Sequence, residues 1–326
     1  MRRHKHTLHP TQSIIKGLAG CAAACVVALA TLGAGSASAA VVAPGDLGGG
    51  AVLPNGQYGT GNILITLRVT PDDRVRIVVD LQLSCAGETF IYNDYTLTTV
   101  AVMAPDGTFR ATGTRSERGS GSDAKLAYEI AGSLSPTGAS GTVGVSIPAD
   151  YPTSVPGCSD ATFSSGPIAW QARRPAASGA LGAPGPFAGA MLYGITTQRV
   201  RGTKGAIVLR VSADGRTFER AAHRVQTACM PRRVVTPNIR LRPAAGAVYY
   251  DGPAAIRRDG SFLNRQQVTV TSRTIVNSAS SRLAGRFGML GAAGSLRYDE
   301  RIVTARTGRV RERCFAPGRI RWSAAP

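Results

Sequence analysis

The chain has 326 residues, with 38 Lys and Arg against 19 Asp and Glu, a net charge of +19. Hydrophobic residues make up 43%, which suffices for a packed core. Of the four histidines only His223 lies beyond residue 9, so a multi-histidine metal site is excluded from the body of the chain.

At the N-terminus Arg2, Arg3, Lys5 and Lys16 precede an uncharged stretch rich in Ala, Leu and Val, which ends in Ala37-Ser38-Ala39. A basic start, an apolar middle and small residues ahead of a cut describe a secretory signal peptide over residues 1–39. An uncleaved anchor is the alternative, although a stretch dominated by Ala and Gly is poorly suited to it. Leu18-Ala19-Gly20-Cys21 follows too short an apolar run for a lipoprotein box. Residues 40–52 read as a flexible lead-in. The expected location is secreted or associated with the cell surface.

From residue 53 the chain reads as β-strands. Leu67-Arg68-Val69 and Arg74-Val75-Arg76-Ile77 alternate polar with apolar, and Pro71-Asp72-Asp73 breaks the run between them. Asp-Gly dipeptides at Asp106, Asp214, Asp251 and Asp259 sit between apolar runs and predict hairpin turns. No helical period is sustained.

The motifs recur in order. Leu67-Arg68-Val69-Thr70-Pro71-Asp72-Asp73-Arg74 returns as Leu209-Arg210-Val211-Ser212-Ala213-Asp214-Gly215-Arg216, and Asp106-Gly107-Thr108-Phe109 as Asp259-Gly260-Ser261-Phe262. Gly166-Pro167-Ile168-Ala169-Trp170 returns as Gly318-Arg319-Ile320-Arg321-Trp322. An order-preserving repeat over two halves predicts a duplication. Copy one covers residues 53–173, an Ala/Gly/Pro linker residues 174–188, and copy two residues 189–326. The fold class expected is all-β: two tandem similar domains, sandwich or barrel-like, of seven or eight strands each.

Past the leader, Cys85, Cys158, Cys229 and Cys314 remain, one early and one late in each copy. The repeat predicts one disulfide within each copy, Cys85–Cys158 and Cys229–Cys314; pairing from copy to copy also respects the symmetry. Trp170 and Trp322 are repeat mates two residues after an isoleucine and are expected to be buried, with an exposed sugar platform as the alternative.

No G-x-S-x-G turn or P-loop is present, and no metal or other cofactor is expected. His223 is expected at or near the surface. Gly285, Gly288, Gly291 and Gly294 recur every third residue and are expected to mark bends. Asp72-Asp73 and Asp299-Glu300 are adjacent, and neighbours on a strand face opposite ways, so neither is a ready acid–base pair.

The charge is uneven. Residues 40–177 hold 9 basic and 12 acidic residues, a net of −3; residues 178–326 hold 25 and 7, a net of +18. Arg309, Arg311 and Arg313 alternate, as do Arg319 with Arg321 and Arg240 with Arg242, so each set is expected to share a strand face. These seven arginines are the candidate polyanion-binding residues, since the guanidinium fork grips phosphate or carboxylate with two bonds. An Arg-rich solvated surface is the plain alternative. The partners expected are anionic cell-wall polymer, acidic polysaccharide or anionic lipid, with unspecific nucleic-acid binding also open.

Copy two runs Tyr193-Gly194-Ile195-Thr196-Thr197-Gln198, then Val211 to Arg216, Cys229, Asp259 to Phe262, Gly285 to Phe287, Ala292 to Leu296, Cys314, and Gly318 to Ala324. This series resembles an uncharacterised domain of secreted actinobacterial proteins. Copy one follows it more loosely, with Asp73 where the glycine of the first Asp-Gly would stand. The resemblance implies a secreted β domain and carries no catalytic residues over. The expected function is that of an exported, non-catalytic binding or structural module; the alternative is an extracellular carboxylate-dependent hydrolase.

Overall fold

The computed structural model describes residues 42–51, 63–83, 93–119, 122–146, 164–175, 187–200, 202–231, 247–271 and 273–326. The described residues form strands and turns and no helix.

The first sheet holds β1 (Gly45–Ala51), β2 (Ile63–Val69), β3 (Arg74–Leu83), β4 (Asn93–Val102), β5 (Thr108–Gly119), β6 (Ser122–Leu134), β7 (Gly138–Ser146) and β8 (Ser164–Arg173). Every pairing is antiparallel, in the order β4-β3-β2-β1-β8-β7-β6-β5. Consecutive strands are neighbours, β8 returns to β1, and a bridge between Met103 and Phe109 links the two ends of the order. The sheet is thus curled into an up-and-down barrel, which leaves few exposed edges. Alternation fills it: Ile63, Ile65, Leu67 and Val69 of β2 and Val75, Ile77, Val79 and Leu81 of β3 point into one core.

The second sheet contains β9 (Met191–Val200), β10 (Thr203–Val211), β11 (Thr217–Val225), β12 (Ala228–Pro231), β13 (Ala247–Asp251), β14 (Ala254–Ala255), β15 (Ser261–Thr271), β16 (Ile275–Gly288), β17 (Gly291–Thr304), β18 (Val310–Phe315) and β19 (Ile320–Ala325). Its path β15-β16-β17-β19-β9-β10-β11-β13 runs in the same order as β5-β6-β7-β8-β1-β2-β3-β4. β12 and β18 are additional, and together they carry the Cys229–Cys314 disulfide between directly opposed residues with Cα atoms 4.0 Å apart. Cys85 and Cys158 lie outside the described residues, as do Arg240 and Arg242.

Residues 45–51 form a barrel strand, although they read as part of a lead-in. Their glycines reflect close approach and not looseness. A Cβ at Gly49 would stand 1.9 Å from the Gln171 carbonyl oxygen, and one at Gly48 2.1 Å from that of Gly194. Phe187, from the stretch read as linker, is buried in the second core. His223 is fully buried, a correction to the surface position expected, because it faces Ile207 on β10 with inward parity.

Three of the four Asp-Gly dipeptides make turns, with Gly107, Gly215 and Gly260 at positive φ. Asp106 Oδ1 accepts hydrogen bonds from the Thr108 amide and hydroxyl, and Asp259 Oδ1 accepts the same pair from Ser261. Those bonds favour the charged form and hold both carboxyls below the usual carboxylate range. Asp251-Gly252 is different: it interrupts two strands, β13 and β14, that both pair with β11.

The barrels pack on each other along β1 and β2 against β9 and β10, with Leu64, Tyr193, Ala206, Val208 and Ala222 in a separate buried cluster. At this interface Arg224 Nε lies 3.0 Å from Asp80 Oδ2, with the two side chains 0% and 3% exposed. The Thr96 hydroxyl donates to Asp80 Oδ1 at 2.8 Å.

Candidate functional site: an arginine row on the second barrel

Strand register brings together arginines that are far apart in sequence. Arg265 on β15 lies opposite Arg282 on β16, which lies opposite Arg297 on β17. All three are exposed. Like charges directly opposed across strands are unfavourable, and among the described residues none of the three is in a salt bridge with a carboxylate.

The row borders a groove of about 970 Å³, also lined by Arg313, Arg319 and Asp299. Arg313 is partly committed: its Nε and Nη2 lie 3.2 and 2.8 Å from Asp299 Oδ2, which raises its pKa. The disulfide builds the wall beside it, because Met230 and Arg313 pair in the register that Cys229 and Cys314 tie together. Five arginines thus line one groove, with a single acidic residue, Asp299, among its lining residues. Such a surface attracts phosphate or carboxylate and offers paired bonds to it.

The first barrel shows that the fold does not require this row. Phe109, Gly132, Gly141 and Trp170 form a rung across β5 to β8, and Phe262, Gly285, Gly294 and Trp322 form its counterpart. Three residues along from that rung stand Thr112, Glu129 and Gly144 in the first barrel, where the second has Arg265, Arg282 and Arg297.

Of the arginines singled out by sequence, Arg309, Arg311, Arg313, Arg319 and Arg321 are all exposed. Their grouping differs from expectation. A register shift sets Ile302 opposite Glu312 but Val303 opposite Val310, leaving Arg311 as the extra residue of a bulge. This breaks the alternation of Arg309 with Arg313, and only Arg313 and Arg319 reach the groove. Arg265, Arg282 and Arg297 carry no such signal in the sequence, because none of them has another arginine two residues away.

The adjacent carboxylates are engaged locally. Asp299 holds Arg313, Glu300 accepts from Asn277 Nδ2 at 2.6 Å and Tyr298 Oη at 3.2 Å, and Asp72 lies 3.2 Å from Arg74. Glu312 lies near both sulfurs of Cys229 and Cys314, but bonded sulfurs leave one carboxylate as a ligand, too few for a closed metal site. Trp170 and Trp322 are buried inside the barrels and provide no exposed sugar platform.

No protein-family model matches this chain, and neither a curated protein nor a solved structure matches it.

Proposed function

We propose that the chain is an exported, non-catalytic module of the cell envelope or extracellular space, whose second barrel holds an anionic polymer in the arginine groove. The observation that carries this reading is the aligned row Arg265, Arg282 and Arg297, made of like charges at positions where the first barrel has Thr112, Glu129 and Gly144. A bound polyanion relieves that repulsion and uses the fork geometry of arginine. The leader-like N-terminus, the basic second half and the resemblance to secreted domains support the same reading.

Binding of a poly(glycerol phosphate) wall polymer and of polygalacturonate to the chain without residues 1–39 should be measured across a salt series. Affinity should fall as salt screens the attraction. Replacing Arg265, Arg282 and Arg297 together by Gln should weaken binding at least tenfold, and replacing Arg309 and Arg311 should change it much less. Binding that ignores both salt and the triple replacement would overturn the proposal.

A further inference from the structure

The hairpin between β16 and β17 closes through a Gly288–Gly291 pair, so its loop is just Met289-Leu290. Two-residue hairpin loops favour residues that accept positive φ, Asn-Gly and Asp-Gly above all. Asp73 is the sole non-glycine residue with positive φ among the described residues, so Met289 and Leu290 form this loop without that conformation. Both side chains stand in solvent, 63% and 58% exposed. A local rule is therefore broken with two apolar residues that no core uses, and such conflicts concentrate at functional positions.

Again the first barrel supplies the comparison. Its hairpin between β6 and β7 carries Ser135-Pro136-Thr137, and Ser135 closes the loop through its own hydroxyl, which bonds the Gly138 amide and carbonyl at 3.1 Å. The architecture accepts a polar turn at this place, so the apolar pair belongs to the second barrel alone.

The surroundings of the tip are cationic. The turn entering β15 joins it through the Phe287 amide, which donates to the Gly260 carbonyl, and through Arg286 Nε, which donates to the Asp259 carbonyl. That turn brings exposed Arg257 and Arg258, and the Ile256 amide in turn holds the carbonyl of exposed Arg216. Asp214 and Asp259, the acids of these turns, are each occupied by hydrogen bonds of their own turn.

We propose that this end of the second barrel docks on an anionic lipid bilayer, with Met289 and Leu290 entering the headgroup–acyl boundary and Arg216, Arg257, Arg258 and Arg286 meeting the lipid phosphates. Apolar insertion combined with a basic patch is the pairing of signals that interfacial binding needs. This site is separate from the arginine groove and does not depend on it.

The test is co-sedimentation of the chain without residues 1–39 with phosphatidylglycerol/phosphatidylcholine vesicles and with pure phosphatidylcholine vesicles. Binding is expected to the anionic vesicles alone, to fall at least tenfold in Met289→Ser/Leu290→Ser, and to weaken in Arg257→Gln/Arg258→Gln. A Met289→Trp variant should show a blue-shifted emission on adding anionic vesicles, readable against the buried Trp170 and Trp322. The Arg265, Arg282 and Arg297 triple variant should keep vesicle binding while losing polymer binding, which separates this site from the groove. Absence of vesicle binding would overturn the proposal. So would binding unchanged by the double serine variant while Met289→Trp shows no shift.

Discussion

Asp73 carries a φ of 54°, in the turn where its counterpart is Gly215 with a φ of 71°. A side chain in the left-handed region costs about 1 kcal/mol, and Asp tolerates it better than most. Thr70 and Arg74 partly compensate by engaging the neighbouring Asp72. Asp73→Gly should therefore raise stability by up to about 1 kcal/mol, seen as a higher urea midpoint at unchanged slope. A lower midpoint would mean that the aspartate side chain stabilises this turn. The departure of copy one from the Asp-Gly pattern is visible in the sequence, and the backbone conformation shows what it costs.

Among the elements, the Phe–Gly–Gly–Trp rung explains glycines that read as bends. Gly288 and Gly291 do flank a turn, but Gly285 and Gly294 face each other in mid-strand beneath Trp322. A Cβ at Gly285 would lie 2.5 Å from Trp322 Cζ2, and one at Gly294 2.0 Å from the Ala284 carbonyl oxygen. Gly132 and Gly141 make the same room for Trp170, since an added Cβ would lie 2.8 and 2.6 Å from its Cζ2. Gly294→Ala should destabilise by about 1–3 kcal/mol through overpacking, whereas Gly144→Ala, whose Cβ would meet nothing within 4 Å, should stay within about 0.5 kcal/mol. Thermal unfolding of the two variants checks the contrast, and equal effects would refute it. Strand parity in the sequence placed both tryptophans inside; what they stand on required knowing which strands are neighbours.

In the whole molecule, Asp80 and Arg224 hold corresponding places on β3 and β11. Each lies two residues beyond a pair, Thr66 with Val78 and Val208 with Ala222, that matches between the barrels. At an interface where equivalent surfaces meet, one position carries an acid in one barrel and a base in the other. Pairing either barrel with a copy of itself would bury two like charges at this spot, so the ion pair selects the unlike partner. Asp80→Asn or Arg224→Met should cost about 3–5 kcal/mol by leaving a buried charge unmatched, and the exchange Asp80→Arg with Arg224→Asp should recover most of the loss. Urea unfolding of the intact chain measures this double-mutant cycle, and a double variant no better than the worse single one would show that the site does not act as a pair.

Short-range information in the chain was enough for its all-β class, three of its four Asp-Gly turns and its buried tryptophans, because alternation and turn chemistry act over a few residues. The Cys229–Cys314 pairing followed from the order of the repeat. Three features could emerge only from lateral contact. The arginine row depends on the register of β15, β16 and β17, in which Arg265, Arg282 and Arg297 meet across 32 residues of chain. The bulge at Arg311 undid an alternation that looked continuous. The strand at residues 45–51 looked like a linker because close backbone packing and flexibility both call for glycine, and only the neighbouring strands distinguish the two.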